Sequence, residues 1–152
     1  MHLDMAEDIR NYYFYAHEKP AIEVKMTKDI TMDLMREIDQ AYSSHDPDAI
    51  AATFTPDGIF DNASGSEVYG RRYSGRDEIR GYFETLFATT SNVKWAKSDI
   101  RIAGHKVYAE WLRTATNADG VEQAWQGMDV YTFEGNLVAK KDTYIKVVLP
   151  SA

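Results

Sequence analysis

The chain has no cysteine, which excludes disulfide bonds, a thiolate nucleophile and zinc bound by cysteine. Its four histidines lie in the N-terminal segment or in predicted loops, without the i,i+4 or HExxH spacing of a metal site. They are His2, His17, His45 and His105. The chain also has no glycine-rich phosphate loop and no GxSxG elbow. We therefore expect neither a metal nor a cofactor.

Positive charge and long apolar runs are also scarce. The net charge of -7 argues against nucleic acid and acidic membrane surfaces as partners, because both attract clustered Lys and Arg. No apolar run approaches the roughly 18 residues of a membrane span. The start "MHLDMAEDIR" lacks the basic-then-apolar layout of a signal peptide. A cytoplasmic location is the expectation.

The sequence does contain many aromatic residues. With 152 residues, 44% of them hydrophobic, it has the size and composition of one globular domain. Its ten Tyr and three Trp suit a pocket, an interface or a plain core. Residues 1–28, which include "NYYFYAHEKPAIEVK", are interpreted as an N-terminal extension. Residues 29–152 are interpreted as the domain.

Three helices are predicted in the first part of the domain. A one-faced apolar pattern that includes Ile38 and Tyr42 runs from Thr31 to about Ser44. "DPDAIAATF" has an N-cap Asp followed by Pro and predicts a short second helix. The strand "IFDN", with Phe60 and Asn62, follows. "SGRD" resembles a capping box and opens a third helix that ends near Thr90.

Beyond residue 92 the apolar period changes to two, which predicts strands near 94–103, 106–116, 121–134 and 137–149. Helices that precede a meandering antiparallel sheet are typical of an α+β domain in which the helices cover one sheet face.

The dipeptide Gly135-Asn136 predicts a two-residue hairpin turn, because both residues tolerate positive φ. If Glu134 pairs with Leu137, the residue numbers of any two paired residues in the hairpin add up to 271. Asp129 then lies directly opposite Asp142.

Alternation along the hairpin predicts one face that combines acids and rings: Trp125, Asp129, Tyr131 and Phe133 with Lys140, Asp142 and Tyr144. Burial and mutual repulsion would raise the pKa of at least one acid, as a general acid or base near neutral pH requires. In the alternative, Lys140 and Lys141 neutralise the acids on a wet outer face. A three-residue loop would instead place Asp129 opposite Lys141 and break the pair.

The strand "VYAEWLRTAT" presents one of two faces to these rings. We expect Trp111 and Arg113 to face inward, where Arg113 holds an acid ionised or binds a substrate oxygen. In the alternative, Glu110 lines the pocket.

The stretches "DPDAIAATFTPDGIF", "GRRYSGRDEIRGYFE" and "WQGMDVYTFEGNLVAKKDTY" resemble the SnoaL-like branch of the nuclear transport factor 2-like superfamily. That branch includes ketosteroid isomerases, limonene epoxide hydrolases and polyketide cyclases. The resemblance covers roughly residues 30–148. It implies a cone-shaped, curved antiparallel sheet around three N-terminal helices, a deep apolar pocket, and a homodimer formed through the outer sheet face. Apolar residues predicted on that face are Met128, Val130, Val147 and Leu149.

The resemblance also implies roles for individual residues. Asp129 matches the protonated Asp of the isomerases' oxyanion hole. The isomerases' general-base Asp falls at or next to Asn62, and their catalytic Tyr falls at Ile38. Two of the isomerases' three catalytic residues are therefore missing here. In the hydrolases and cyclases the "RDYF" acid matches Asp142 of "KDTY".

Two functions follow as hypotheses. The first is a cofactor-independent acid/base enzyme of isomerase, cyclase, hydrolase or dehydratase type, acting on a small apolar oxygenated molecule. Asp142, Asp129 and Arg113 are its predicted catalytic residues. The predicted substrate-binding residues are Tyr144, Trp125, Tyr131, Trp111, Phe60, Asn62, Ile38 and Tyr42. The second is a non-catalytic ligand-binding or dimeric assembly domain.

Overall fold

The computed structural model describes residues 30–149, so the predicted extension lies outside the described residues. Three helices are present: α1 (Met32–Ser43), α2 (Pro47–Ala52) and α3 (Gly75–Thr89). The six strands are β1 (Phe54–Glu67), β2 (Gly70–Ser74), β3 (Ser91–Ala103), β4 (Lys106–Thr116), β5 (Glu122–Glu134) and β6 (Leu137–Ile145). No helix in this part of the chain is long and apolar enough to cross a membrane.

The helices begin at the predicted residues. The Thr31 side chain accepts a hydrogen bond from the Leu34 N–H, and the Asp46 side chain accepts one from the Asp48 N–H. The start of α3 differs in detail from the predicted capping box. The Ser74 side chain makes no capping bond, and the Glu78 carboxylate accepts a hydrogen bond from the Ser74 N–H at 2.7 Å.

The strands form one six-stranded sheet in the order β2-β1-β6-β5-β4-β3. The predicted antiparallel meander is confirmed for β3 to β6. "IFDN", predicted as a brief strand, is the middle of the 14-residue β1. β1 pairs with β6 in parallel, which the sequence pattern did not predict. The curved sheet is therefore completed by β6, which lies between β1 and β5.

The helices bury their apolar faces against the sheet and form a core of fully buried aliphatic and aromatic side chains. Ile38 is 2% exposed and Phe83 is 2% exposed, as their helical spacing predicts. Other core members are Met35, Ile50, Phe54, Ile79, Val107, Tyr131, Phe133 and Val138. Val147 and Leu149 are exposed beyond the end of β6. The homodimer expected through the outer sheet face stays a prediction.

One extra residue in β6 changes the predicted register. The two-residue turn is present, with Gly135 at φ 58°, and Phe133 pairs with Val138 as predicted. Thr132 then pairs with Lys140, so Ala139 is an unpaired bulge. Beyond the bulge, Asp129 pairs with Thr143 instead of Asp142. The predicted opposition of the two acids is wrong, because one extra residue turns every later side chain to the other face.

Two glycines give opposite expectations for stability. A Cβ at Gly127 of β5 would lie 2.4 Å from the Trp111 ring and 2.5 Å from the Tyr144 carbonyl oxygen. A Cβ at Gly81 of α3 would have no atom within 4 Å. In urea denaturation we expect Gly81→Ala to raise the free energy of unfolding by about 0.5–1 kcal/mol, because alanine is the better helix former.

We expect Gly127→Ala to lower the free energy of unfolding by about 1–3 kcal/mol, because the Trp111 ring must move. Equal effects of the two substitutions would contradict the close packing of Trp111 against β5.

Candidate functional site

A cavity of about 210 Å³ lies between the helices and the sheet. Its wall combines aromatic rings with a few polar and charged groups. The lining residues are Tyr42, Phe60, Asn62, Ala63, Ser64, Tyr82, Phe83, Trp95, Lys97, Trp111, Arg113, Trp125, Asp129, Lys141, Thr143 and Ile145. An aromatic wall with few polar groups is typical of a small-molecule site.

The strand register arranges this wall in rows across the sheet. One row pairs Trp95, Arg113 and Trp125 on β3, β4 and β5. The next row pairs Lys97, Trp111, Gly127 and Ile145. A third row holds Ala109, Asp129 and Thr143. Alternation along each strand therefore brings Arg113 and Asp129 to the same face, in separate rows.

Asp129 and Lys141 form a buried ion pair at one end of the cavity. Asp129 is 2% exposed and Lys141 is 6% exposed. The Lys141 Nζ lies 2.9 Å from Asp129 Oδ1. Thr143 bridges the pair, because its hydroxyl accepts from Lys141 at 2.8 Å and donates to the same Asp129 oxygen at 2.7 Å. The three groups form a closed hydrogen-bonded ring.

The second oxygen of Asp129 is held less tightly. The Tyr131 hydroxyl donates to Oδ2 at 3.3 Å, and the Lys97 Nζ lies 3.9 Å away. Lys97 is also 3.6 Å from Asp39, which does not line the cavity. Oδ2 is therefore the Asp129 oxygen more available to a bound molecule.

The net effect of these surroundings keeps Asp129 ionised. Burial alone would raise its pKa, but the charges of Lys141 and Lys97 and the hydrogen bond from Thr143 outweigh burial and lower the pKa. The sequence predicted a raised pKa for at least one acid of the pair. For Asp129 that prediction is wrong, since its neighbours are lysines.

Lys141 is a lysine in an unusually apolar place. Burial lowers its pKa, and the charge and hydrogen bond of Asp129 oppose that effect only in part. Its Nζ lies 4.5 Å from the centre of the Phe60 ring and 5.9 Å from that of Tyr42. A lysine whose pKa is lowered by burial is suited to give up or share a proton.

Arg113 lies in another part of the cavity, close to two indole rings. Its guanidinium carbon is 4.6 Å from the centre of the Trp125 ring and 5.9 Å from that of Trp95. Burial lowers the pKa of Arg113, against a smaller raising effect of Tyr82. Trp111 is 4% exposed and lines the same cavity. The predicted inward orientation of Trp111 and Arg113 is confirmed, and Glu110 is exposed on the other face.

Asp142 lies outside the cavity, contrary to the prediction. It pairs with Val130 and its carboxylate is 3.3 Å from the Lys140 Nζ. The same lysine lies 3.0 Å from the fully buried Asp61, which Arg72 holds through two 2.8 Å hydrogen bonds. Because of the Ala139 bulge, Asp129 and Asp142 lie on opposite faces of the sheet and not on the one face that was predicted. The alternative in which Lys140 and Lys141 neutralise the acids gives the right partners, since Lys140 lies beside Asp142 and Lys141 beside Asp129. It fails for the environment of Asp129, which is buried and not on a wet outer face.

The predicted substrate-binding residues divide into two groups. Five line the cavity: Trp125, Trp111, Phe60, Asn62 and Tyr42. Three do not. Ile38 lies in the core, Tyr131 is buried with its hydroxyl on Asp129, and Tyr144 is 55% exposed with its hydroxyl donating to Asp142. Tyr144 was predicted inward from the same register that misplaced Asp142.

Several lining residues were not predicted, above all Lys141 and Lys97 at the charged end. Trp95, Tyr82 and Thr143 also belong to the wall. The sequence held a signal for Lys97, since it shares the period-two face of Trp95 on β3. Lys141 carried no such signal, because its face depends on the bulge.

Two polar atoms in the wall residues have no hydrogen-bond partner among residues 30–149: the Tyr42 hydroxyl and the Trp111 Nε1. Both atoms are fully buried. Burial raises the pKa of Tyr42 well above its ordinary value, so its hydroxyl stays protonated and able to donate. Within the described range, no group of three or more His, Asp or Glu side chains is placed to hold a metal ion.

The comparisons with known proteins agree with this geometry. Residues 35–141 match the model of the SnoaL-like domain family, which confirms the resemblance. No protein of curated function matches the chain significantly.

Several solved structures are similar in fold. A protein with a ketosteroid isomerase-like fold from Catenulispora acidiphila, in complex with trimethylamine, is 20% identical, with a TM-score of 0.67 and coverage of 76% of this chain and 86% of that one. An NTF2-like protein from Burkholderia pseudomallei is 19% identical, with a TM-score of 0.68 and coverage of 76% and 89%. A putative SnoaL-like polyketide cyclase from Shewanella putrefaciens is 15% identical, with a TM-score of 0.64 and coverage of 75% and 88%.

The ion pair predicts unequal effects of two similar substitutions. Asp129→Asn leaves the buried Lys141 ammonium without its counter-charge, so we expect a loss of about 3–5 kcal/mol in the free energy of unfolding. Asp142→Asn removes a partly exposed pair and is expected to cost less than about 1 kcal/mol. Urea denaturation of both variants measures the difference. Similar losses would contradict the observed register.

A double-mutant cycle separates the pair from its surroundings. We expect Asp129→Asn/Lys141→Met to lose much less stability than the sum of the single variants, because no unpaired charge remains buried. Additive losses would show that Lys97 or Thr143 dominates the environment of Asp129.

The lowered pKa of Asp129 predicts the pH dependence of stability. A carboxyl with a depressed folded pKa stabilises the fold above its unfolded pKa of about 3.9, and this contribution is lost as pH falls through the folded pKa. The stability difference between the natural chain and Asp129→Asn should therefore shrink as pH falls below about 4. Thermal unfolding measured from pH 7 down to pH 2 tests this; a difference independent of pH would contradict it.

Proposed function

The chain belongs to the SnoaL-like domain family, and from that premise we propose that it is a cofactor-independent enzyme that moves a proton next to a carbonyl of a small, mostly apolar molecule. The main support for this proposal is the buried ion pair in the wall of the aromatic cavity, where the Lys141 Nζ lies 2.9 Å from Asp129 Oδ1. The reaction class is isomerisation or ring closure through an enol. That the Shewanella neighbour is called a putative polyketide cyclase supports this class.

The two partners take complementary roles in this proposal. Asp129 is an ionised carboxylate whose Oδ2 is less tightly held, and it accepts the proton from the carbon beside the carbonyl. Lys141 donates a hydrogen bond or a proton to the carbonyl oxygen, where negative charge develops. In isomerisation the enol takes the proton back from Asp129 at another carbon, and its oxygen returns its proton to Lys141. In ring closure the enol carbon attacks a second carbonyl, the new alkoxide takes the proton held by Asp129, and the enol oxygen returns its proton to Lys141.

The surroundings suit this chemistry. Tyr131 and Thr143 fix the carboxylate, so little reorganisation is needed as charge moves. Burial lowers the pKa of Lys141, which makes its ammonium a stronger proton donor. The rings of Phe60 and Tyr42 exclude water from the ammonium.

A second candidate function is binding without turnover. Asp129 has four polar neighbours, Lys141, Thr143, Tyr131 and Lys97, as a purely structural ion pair would have. In this alternative the pair shapes the cavity and the apolar molecule is only held.

Deuterium exchange distinguishes the two functions. Ketones with one, two and three fused rings, including 2-tetralone, are incubated with the protein in D₂O, and exchange beside the carbonyl is followed by NMR. We expect the natural chain to accelerate exchange of at least one ketone. Lys141→Met should reduce that acceleration by about 10²–10⁴-fold, the usual contribution of a general acid or base.

Lys94→Met is the matched control, because Lys94 lies exposed on β3 and outside the cavity wall. Its exchange rate should equal that of the natural chain. Ketone binding without faster exchange would establish the second function. Equal exchange by the natural chain and Lys141→Met would remove the lysine from the mechanism.

A further inference from the structure

The cavity contains one cation without an ionic partner. Lys141 lies 2.9 Å from Asp129, and Lys97 lies 3.6 Å from Asp39, so each lysine of the wall has a carboxylate neighbour. Arg113 has none among the described residues; its surroundings are the Trp125 and Trp95 rings and the neutral Tyr82 hydroxyl. One positive charge therefore remains uncompensated in the cavity wall.

The guanidinium of Arg113 lies over the Trp125 ring, with 4.6 Å between its carbon and the ring centre. An indole that stacks on a guanidinium covers its face, whereas the five N–H groups lie in the plane of the fork. The structure gives these groups no hydrogen bond within residues 30–149. A guanidinium held in this way is shaped to bind a carboxylate through two parallel hydrogen bonds.

Other parts of the wall fit the same kind of ligand. The Tyr42 hydroxyl and the Trp111 Nε1 are buried donors with no acceptor in the described chain, and both residues line the cavity. The remaining wall is largely aromatic, including Phe60, Phe83 and Trp125, and favours a flat ring system through stacking.

From these observations we propose that the cavity binds a planar aromatic carboxylate, with the carboxylate on Arg113 and the rings against the tryptophans. This inference rests on the proposed function, because it names the substrate class of the same cavity. Arg113 and Ala109, the β4 partner of Asp129, are four residues apart, which is about 13 Å along a strand. A ring system therefore fits between the carboxylate and a carbonyl near Lys141.

Calorimetric titration with 2-naphthoate and its neutral isostere 2-naphthamide tests the inference at pH 7. We expect the natural chain to bind the carboxylate about ten- to hundredfold more tightly than the amide, the usual gain from hydrogen bonds between charged groups. Arg113→Met should abolish this preference while amide binding stays within about twofold. Arg113→Lys keeps the charge but loses the fork, so it should retain only part of the preference.

The exposed Lys94→Met variant is again the control and should keep the full preference. Circular dichroism checks that each Arg113 variant is folded, and Arg113→Lys carries the test if Arg113→Met is not. Equal binding of acid and amide, or no binding of either, would overturn the inference. A preference that survives Arg113→Met and disappears in Lys141→Met would assign the carboxylate to the lysine and also overturn it.

The binding result is independent of turnover. A carboxylate preference lost with Arg113, in a protein that exchanges no deuterium, supports the ligand class and refutes the proposed catalysis. Exchange of neutral ketones without any carboxylate preference supports the catalysis and refutes the ligand class.

Discussion

The buried ion pair between Asp129 and Lys141 is the interaction on which the cavity depends. Either charge alone inside this apolar wall would cost several kcal/mol, so the two residues are tolerated only together. Their separation of 2.9 Å requires β5 and β6 to be neighbours in one particular register. The shape of the cavity, the ionisation of Asp129 and the protonation of Lys141 all follow from that register.

The sequence allowed much of this architecture to be predicted, for local physical reasons. The caps at Thr31 and Asp46 mark helix starts through hydrogen bonds made within a few residues. The strands of the meander follow from alternation, and the same period groups Trp111 with Arg113 on one face, although it leaves open which face points inward. The family resemblance supplied the curved sheet and the cavity between the sheet and the helices.

What could not be predicted depends on single-residue events and on distant pairing. The bulge at Ala139 has no glycine or proline to announce it, yet it exchanges Asp142 for Lys141 inside the cavity. The tandem "KKD" places charge on the inner face in either register, because one register turns Lys140 and Asp142 inward and the other turns Lys141 inward. The parallel pairing of Phe60 with Lys141 joins segments about 80 residues apart, and no local pattern reports such a contact.

The position of β6 within the sheet also has a consequence for how the protein is made. β6 follows every other described element along the chain but separates β1 from β5 in space. A nascent chain emerges N-terminal end first, so β1 and β5 present open hydrogen-bonding edges until β6 arrives between them. The half-built sheet is thus the species most exposed to wrong strand pairing.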